Sequence, residues 1–211
     1  MLGPAYRIET SRLVLRCWSP RDAPALEASV HESLEHLRPW MTFVQSEPEP
    51  IAQKVARLRR WRADFDSDRD FVYGVFPRAF FRAAGRAVWG GCALHPRGGL
   101  GVREIGYWLN ARRLGRGLAQ ELSAALTQVA FELEHARRVE IQCDPRNLKS
   151  ARVPEVLGFL QEATPGAPRL AADGVMREVS VWCMDRAAYE LSPAARVKIT
   201  AYSSSGERLG R

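Results

Sequence analysis

The 211-residue chain predicts a single domain of α/β (α+β) class. Its expected core is a mixed central sheet of about six to seven strands flanked by about four helices. Two observations lead there. Short apolar runs of strand length are interleaved with segments of helical period. No internal repeat or composition break marks a second domain, and 46% hydrophobic with 26% charged residues is enough to bury one core.

Taken in order, residues 8–18 are rich in Leu, Val and Arg with partial alternation and read as a strand. Ser19 and Pro20 then suit an N-cap and first helical position, and the helix is expected to run to His36 before Pro39 stops it. Ile51, Val55, Leu58, Trp61 and Phe65 give residues 51–66 a helical period. Strands are expected over 71–76 and 87–95, with a hairpin connection over 78–86. Pro96, Arg97, Gly98 and Gly99 form a turn signal before a strand at 103–109. Leu118, Leu122, Ala125, Leu126 and Val129 mark a helix over 118–131. A strand at 138–143, a short helix at 148–157 interrupted by Pro154, and strands from Phe159 and over 175–184 complete the domain, which spans 6–190. Residues 191–211, with Ser, Gly and Arg, read as a flexible tail.

The most informative stretch is 104–119. A strand-like run ends at Leu109, a basic turn carries Gly115 and Gly117, and a helix follows. Such a turn holds anions. The first helical N–H groups lack partners, the helix dipole adds positive character, and glycine lets backbone approach a phosphate. No Gly-Lys-Ser/Thr follows the turn, which excludes a nucleotide triphosphatase loop.

Arg112, Gly115 and Gly117 fit the spacing Gln/Arg-x-x-Gly-x-Gly/Ala, which resembles the acetyl-CoA pyrophosphate loop of the GNAT acetyltransferases. The surroundings resemble the branch that acetylates the N-terminal amine of ribosomal proteins and also includes small-molecule acetyltransferases. The matching segments are Thr10 to Arg16, Leu37 to Met41, Glu104 to Leu109, Asn147 to Ser150, and Leu157 to Phe159. The resemblance covers roughly residues 6–190 in the family's order and implies a GNAT-like fold. It also implies an enzyme that moves an acetyl group directly from acetyl-CoA to a primary amine: a protein or peptide N-terminus, an amino acid or a small-molecule amine.

The same resemblance assigns roles along the chain. The backbone of Leu109 would pair with the pantetheine arm, and the backbone of Leu114, Gly115, Arg116, Gly117, Leu118 and Ala119 would hold the pyrophosphate. Arg112, Arg113 and Arg116 could neutralise phosphate charge or simply be solvated. Asn147 would bond the pantetheine arm. Trp40, Met41 and Tyr107 would border the acceptor.

Glu104 is the expected general base. It shares a strand face with residues 106 and 108, and a carboxylate among apolar neighbours should have a raised pKa. Many relatives carry a Tyr where Pro154 stands, which leaves Ser150 as the hydroxyl able to protonate the departing thiolate, although Asn147 and Ser150 also suit a helix cap. The four His residues form no spaced set and read as structural or surface groups.

Other features bound the alternatives. The four cysteines stand singly in apolar runs, without metal-ligand spacing, and read as buried free thiols; no metal is expected. The formal net charge of +7 comes from dispersed Arg, which argues against direct nucleic-acid binding. No apolar run of about 18 residues or secretory leader is visible, so a cytoplasmic protein with no membrane partner is expected. A homodimer through an exposed last strand is compatible with the resemblance. The alternative reading is a non-catalytic acyl-CoA-binding regulator. It differs in releasing no free thiol from acetyl-CoA when an amine is supplied.

Overall fold

The computed structural model describes residues 4–79, 87–97 and 99–210. Among them, one sheet carries β1 (Arg7–Glu9), β2 (Leu13–Cys17), β3 (Phe71–Pro77), β4 (Gly90–His95), β5 (Val102–Leu109), β6 (Arg138–Cys143), β7 (Leu160–Gln161), β8 (Gly166–Leu170), β9 (Met176–Asp185), β10 (Thr200–Tyr202) and β11 (Arg208–Leu209). The spatial order is β11-β10-β1-β2-β3-β4-β5-β6-β9-β7, with β8 also on β9. All pairings are antiparallel except β5 with β6.

The helices are α1 (Ala23–His31), α2 (Leu34–Leu37), α3 (Ile51–Asp66), α4 (Leu118–Gln128), α5 (Leu148–Leu157) and α6 (Arg186–Leu191). Alternation along β5 splits its side chains between two cores. Ile105, Tyr107 and Leu109 join the cluster that contains Leu118, Leu122 and Leu126 of α4. Trp108 joins the cluster of Trp18, Leu26, Leu58 and Phe76 on the side of α1 and α3. The sheet is therefore covered on both faces, and the mixed α/β class holds with more strands than expected. No helix among the described residues is long and apolar enough to cross a membrane.

Several boundaries differ from the sequence reading, each for a local reason. The run 8–18 is two strands, because Thr10 closes a tight turn: its N–H donates to Leu13 O (2.9 Å) and its Oγ1 accepts from Leu13 N–H (2.9 Å). Ser19 caps a one-turn helix over Pro20–Asp22 through a reciprocal box with Asp22, as its position suggested. The helix expected to reach His36 breaks at Ser33, whose Oγ donates to Ser29 O at 2.8 Å. β8 contains Gly166 and Pro168 and lacks the alternation that would have marked it. The connection expected over 78–86 lies largely outside the described residues.

The flexible tail expected from residue 191 is a correction. A short turn of helix, Pro193–Arg196, packs under α4, where the Gln128 amide donates to Ala194 O (3.3 Å), Ala195 O (3.1 Å) and Val197 O (2.6 Å). β10 then pairs with β1, Ile8 opposite Ala201. Both Ile8 and Ala201 are buried, so these residues are part of the core despite their polar company in the sequence. Gln128→Ala should strand three carbonyls and cost about 1–3 kcal/mol, read as a lower Tm in thermal unfolding of the full chain.

Candidate active site

The site begins where two parallel strands part. β5 pairs with β6 only from Val102↔Arg138 to Ile105↔Ile141. On its other side β5 stays paired with β4 as far as Gly90↔Leu109. β6 instead follows β9, with Gln142 opposite Val181 and Cys143 opposite Ser180. The backbone of Gly106–Leu109 is thus left without a strand on the β6 side, and peptide groups there need a partner. An extended arm carrying amides fits such a gap.

A narrow cavity of about 110 Å³ follows the parting, lined by Trp40, Met41, Tyr107, Leu109, Leu114 and Ala119. It ends at the glycine turn. Gly115 and Gly117 both have φ +70°, the left-handed region that disfavours a side chain. A Cβ on Gly115 would meet nothing within 4 Å, so the turn faces open space. Among the described residues, no N–H from Leu114 to Ala119 donates to a protein oxygen. Together these features fit a pyrophosphate.

The turn is held from both ends. Asn110 is buried; its Oδ1 accepts from Arg112 N–H (2.9 Å), while its Nδ2 donates to Ser29 Oγ (3.1 Å) on α1. At the other end, Arg12 donates from Nε to Glu121 on α4 (2.6 Å) and from Nη1 to Arg116 O (2.8 Å). Glu121 also accepts from Thr10 Oγ1, Ser11 Oγ and Arg12 N–H; burial pushes its carboxyl up, and the Thr10 and Arg12 hydrogen bonds with the Arg12 charge outweigh that and hold it below the usual range. The three arginines of the turn diverge. Arg113 lies over the Trp89 ring (4.3 Å) and Arg112 reaches Glu32 (3.6 Å). Arg116 is exposed with no side-chain partner among the described residues.

Asn147 and Ser150 stand at the start of α5. Asn147 Oδ1 caps the helix by accepting from Ser150 N–H (3.1 Å). Pro154 does not break α5; it removes the N–H that would have bonded Ser150 O, four residues back. Tyr107 occupies that carbonyl, donating at 3.2 Å, and its hydroxyl lies 3.0 Å from Ser150 Oγ. Burial raises the Tyr107 pKa, while the Ser150 contact opposes it. Cys143 lies beside this pair with its thiol pushed up to about 11, chiefly by burial, which makes it a poor nucleophile.

A second cavity, of about 310 Å³, lies on the other side of this hydroxyl pair. Trp40, Met41, Tyr107, Asn147 and Ser150 line both cavities, so the two meet there. Its remaining walls are the loop at Pro39–Phe43 and the β8–β9 hairpin, which brings in Arg169, Arg177 and Glu178.

Glu104 departs from expectation. It is buried, but Arg169 of β8 grips both its oxygens (2.8 and 2.8 Å). Burial pushes its pKa up; the Arg169 hydrogen bonds and charge outweigh that and hold it below the ordinary value. The raised pKa read from an apolar strand face is therefore corrected. The missing information was β8, which is far off in sequence and unmarked as a strand.

Two cavities that meet at a pair of hydroxyls beside an unpaired strand edge, with no activated nucleophile among the described residues, fit direct acyl transfer. Residues 12–160 match the acetyltransferase (GNAT) domain, and the chain belongs to that family. It is an acetyl-CoA-dependent N-acetyltransferase. It is 25% identical over 151 residues to the Bacillus subtilis (strain 168) protein YdaF, named as a ribosomal N-acetyltransferase, covering 71% of this chain and 79% of that one. It is 26% identical over 167 residues to the [ribosomal protein uS5]-alanine N-acetyltransferase of Escherichia coli (strain K12), covering 75% and 80%. Mycobacterium smegmatis RimJ, solved with CoA-disulfide, shares the fold at TM-score 0.72 and 21% identity, covering 92% of this chain and 91% of that one.

The sequence reading missed the roles of Arg12, Asn110 and Glu121. Thr10–Arg12 stood out only as an opening strand, and nothing local tied it to a helix more than a hundred residues away.

Two predictions follow from these contacts. Gly117→Ala puts a Cβ at φ +70°, a strain of about 1–2 kcal/mol; roughly tenfold weaker acetyl-CoA binding is expected by titration calorimetry. The Glu104 pKa lies below its ordinary 4.5, so its contribution to stability is fully present above that value and lost as pH falls through the depressed one. The Tm gap between wild type and Glu104→Gln should be constant near neutral pH and shrink below pH 4.5, as read by thermal unfolding across pH.

Proposed function

We propose that the acceptor is the α-amine of a protein or peptide N-terminus. The observation that carries this is the open cavity between the Pro39–Phe43 loop and the β8–β9 hairpin. One residue can sit inside it against the hydroxyl junction while the rest of a polypeptide leaves through the mouth. The relatives named for ribosomal-protein acetylation support the same reading.

In this reading the N–H groups of Leu114–Ala119 hold the pyrophosphate, and Arg116 supplies the free guanidinium beside it. The open edge at Gly106–Leu109 takes the pantetheine arm. Asn147 has its Oδ1 committed to the helix cap and its Nδ2 available to that arm. Acetyl-CoA supplies an acyl group already activated as a thioester, so holding it against the amine accounts for much of the rate. Ser150 and Tyr107 share one hydroxyl contact and stand where the leaving sulfur needs a proton. Trp40 and Met41 close the junction against water, which strengthens electrostatic interactions inside. Arg177, bound to Asp173, and exposed Glu178 form the rim that meets the residues after the first.

The test is free-thiol release from acetyl-CoA against a panel of short peptides with varied N-termini, amino acids, polyamines and aminoglycosides. Release with unblocked peptides, absent with N-terminally blocked ones, is the expected result. Release confined to polyamines or aminoglycosides would replace the peptide reading with a small-molecule one.

A further inference from the structure

Glu104 is gripped by Arg169, but the strand beside it offers another base on the same sheet face. His95, the last residue of β4, is the cross-strand partner of Glu104. Its Nδ1 lies 2.5 Å from Asp70 Oδ1, and that oxygen also accepts from Phe71 N–H at 3.1 Å. An ionised carboxylate can only accept, so the neutral ring carries its proton on Nδ1 and its lone pair on Nε2. Asp70 thereby fixes both the tautomer and the ring direction.

Nε2 has no hydrogen-bond partner among the described residues. It lies 3.7 Å from the position where Gly106 would bear a Cβ. It faces a cavity of about 280 Å³ walled by Trp18, Phe43, Trp61 and Trp108. This cavity and the acceptor cavity share Met41, Phe43, Gly106 and Tyr107. Gly106, which lines both cavities, puts no side chain against that nitrogen.

We propose that His95, oriented by Asp70, is the general base that takes a proton from the acceptor amine. This rests on acetyl transfer to an amine, and not on the acceptor being a peptide. An ammonium acceptor sheds two protons. The first passes to His95 Nε2, directly or through one water, and on to solvent, which frees the nitrogen lone pair. That pair forms the N–C bond as the C–S bond breaks and its electrons leave on sulfur. The second proton leaves the nitrogen and replaces the one that the Ser150–Tyr107 hydroxyl pair gives the thiolate. Asp70 is a positioning residue, and Glu104, bound on both oxygens by Arg169 and outside the cavity linings, takes no part in the proton transfer.

The test uses the full chain, acetyl-CoA and whichever panel amine turns over. His95→Ala is expected to lose about a hundredfold or more in kcat with acetyl-CoA binding intact, and added imidazole to restore part of it. His95→Gln keeps a hydrogen bond to Asp70 yet should lose as much, which covers the case that the smaller variant misfolds. Glu104→Gln should stay within about tenfold of wild type. Activity of both His95 variants within about tenfold of wild type, or loss in both without imidazole rescue, overturns the inference. Turnover confined to non-peptide amines overturns only the peptide reading, and no release with any amine counts against both.

Discussion

The site depends on one backbone event: the parallel pair β5–β6 separates after Ile105 and Ile141. Peptide groups in a sheet interior must be paired, and a strand that loses its neighbour creates a demand for a replacement. Here β6 is drawn to β9 while β5 stays with β4. The resulting gap lies beside Gly106–Leu109 of β5. The cavity beside α4 and the cavity beside the Pro39–Phe43 loop meet at Tyr107 and Ser150. The fold thus imposes proximity without demanding many reactive groups.

The glycine turn is anchored without being buried. Its glycines give up more conformational freedom on folding than other residues would, which costs stability. The compensation lies outside the turn, in Asn110 on one side and the Arg12–Glu121 pair on the other. Pro154 works in a related way. By withholding an N–H it leaves a helical carbonyl open, and Tyr107 uses that carbonyl to bring its hydroxyl to Ser150. A residue that reads as a defect in the helix is what lets the strand and the helix share a polar contact.

Legibility in the sequence followed distance along the chain. The turn at Arg112–Gly117, the helix cap at Asn147 and the strand ending at Leu109 were readable, because each is specified within a few residues. The strand face of Glu104 was also readable, but its electrostatic environment was not. Arg169 reaches it from a strand containing Gly166 and Pro168 that no periodicity marked. The same applies to His95. Counting histidines found no spaced set, because its partner Asp70 sits on the neighbouring strand's approach and pairs only once β3 and β4 are in register. The folded C-terminal segment was missed because polar composition stood in for disorder, while Ile8 and Gln128 were waiting for partners.

That segment also has a bearing on the order in which the molecule can assemble as it is made. β1 has β2 on one side and β10 on the other, two neighbours separated by almost the whole chain. β6 likewise gains its second neighbour only from β9. During vectorial synthesis the Arg12–Glu121 clamp can close early, and the glycine turn with it. β1 and β6 meanwhile each keep an unpaired edge until the final strands emerge. Exposed edges are templates for wrong pairing, so the interval between making residue 121 and making residue 202 is when the nascent protein is most open to aggregation or chaperone capture.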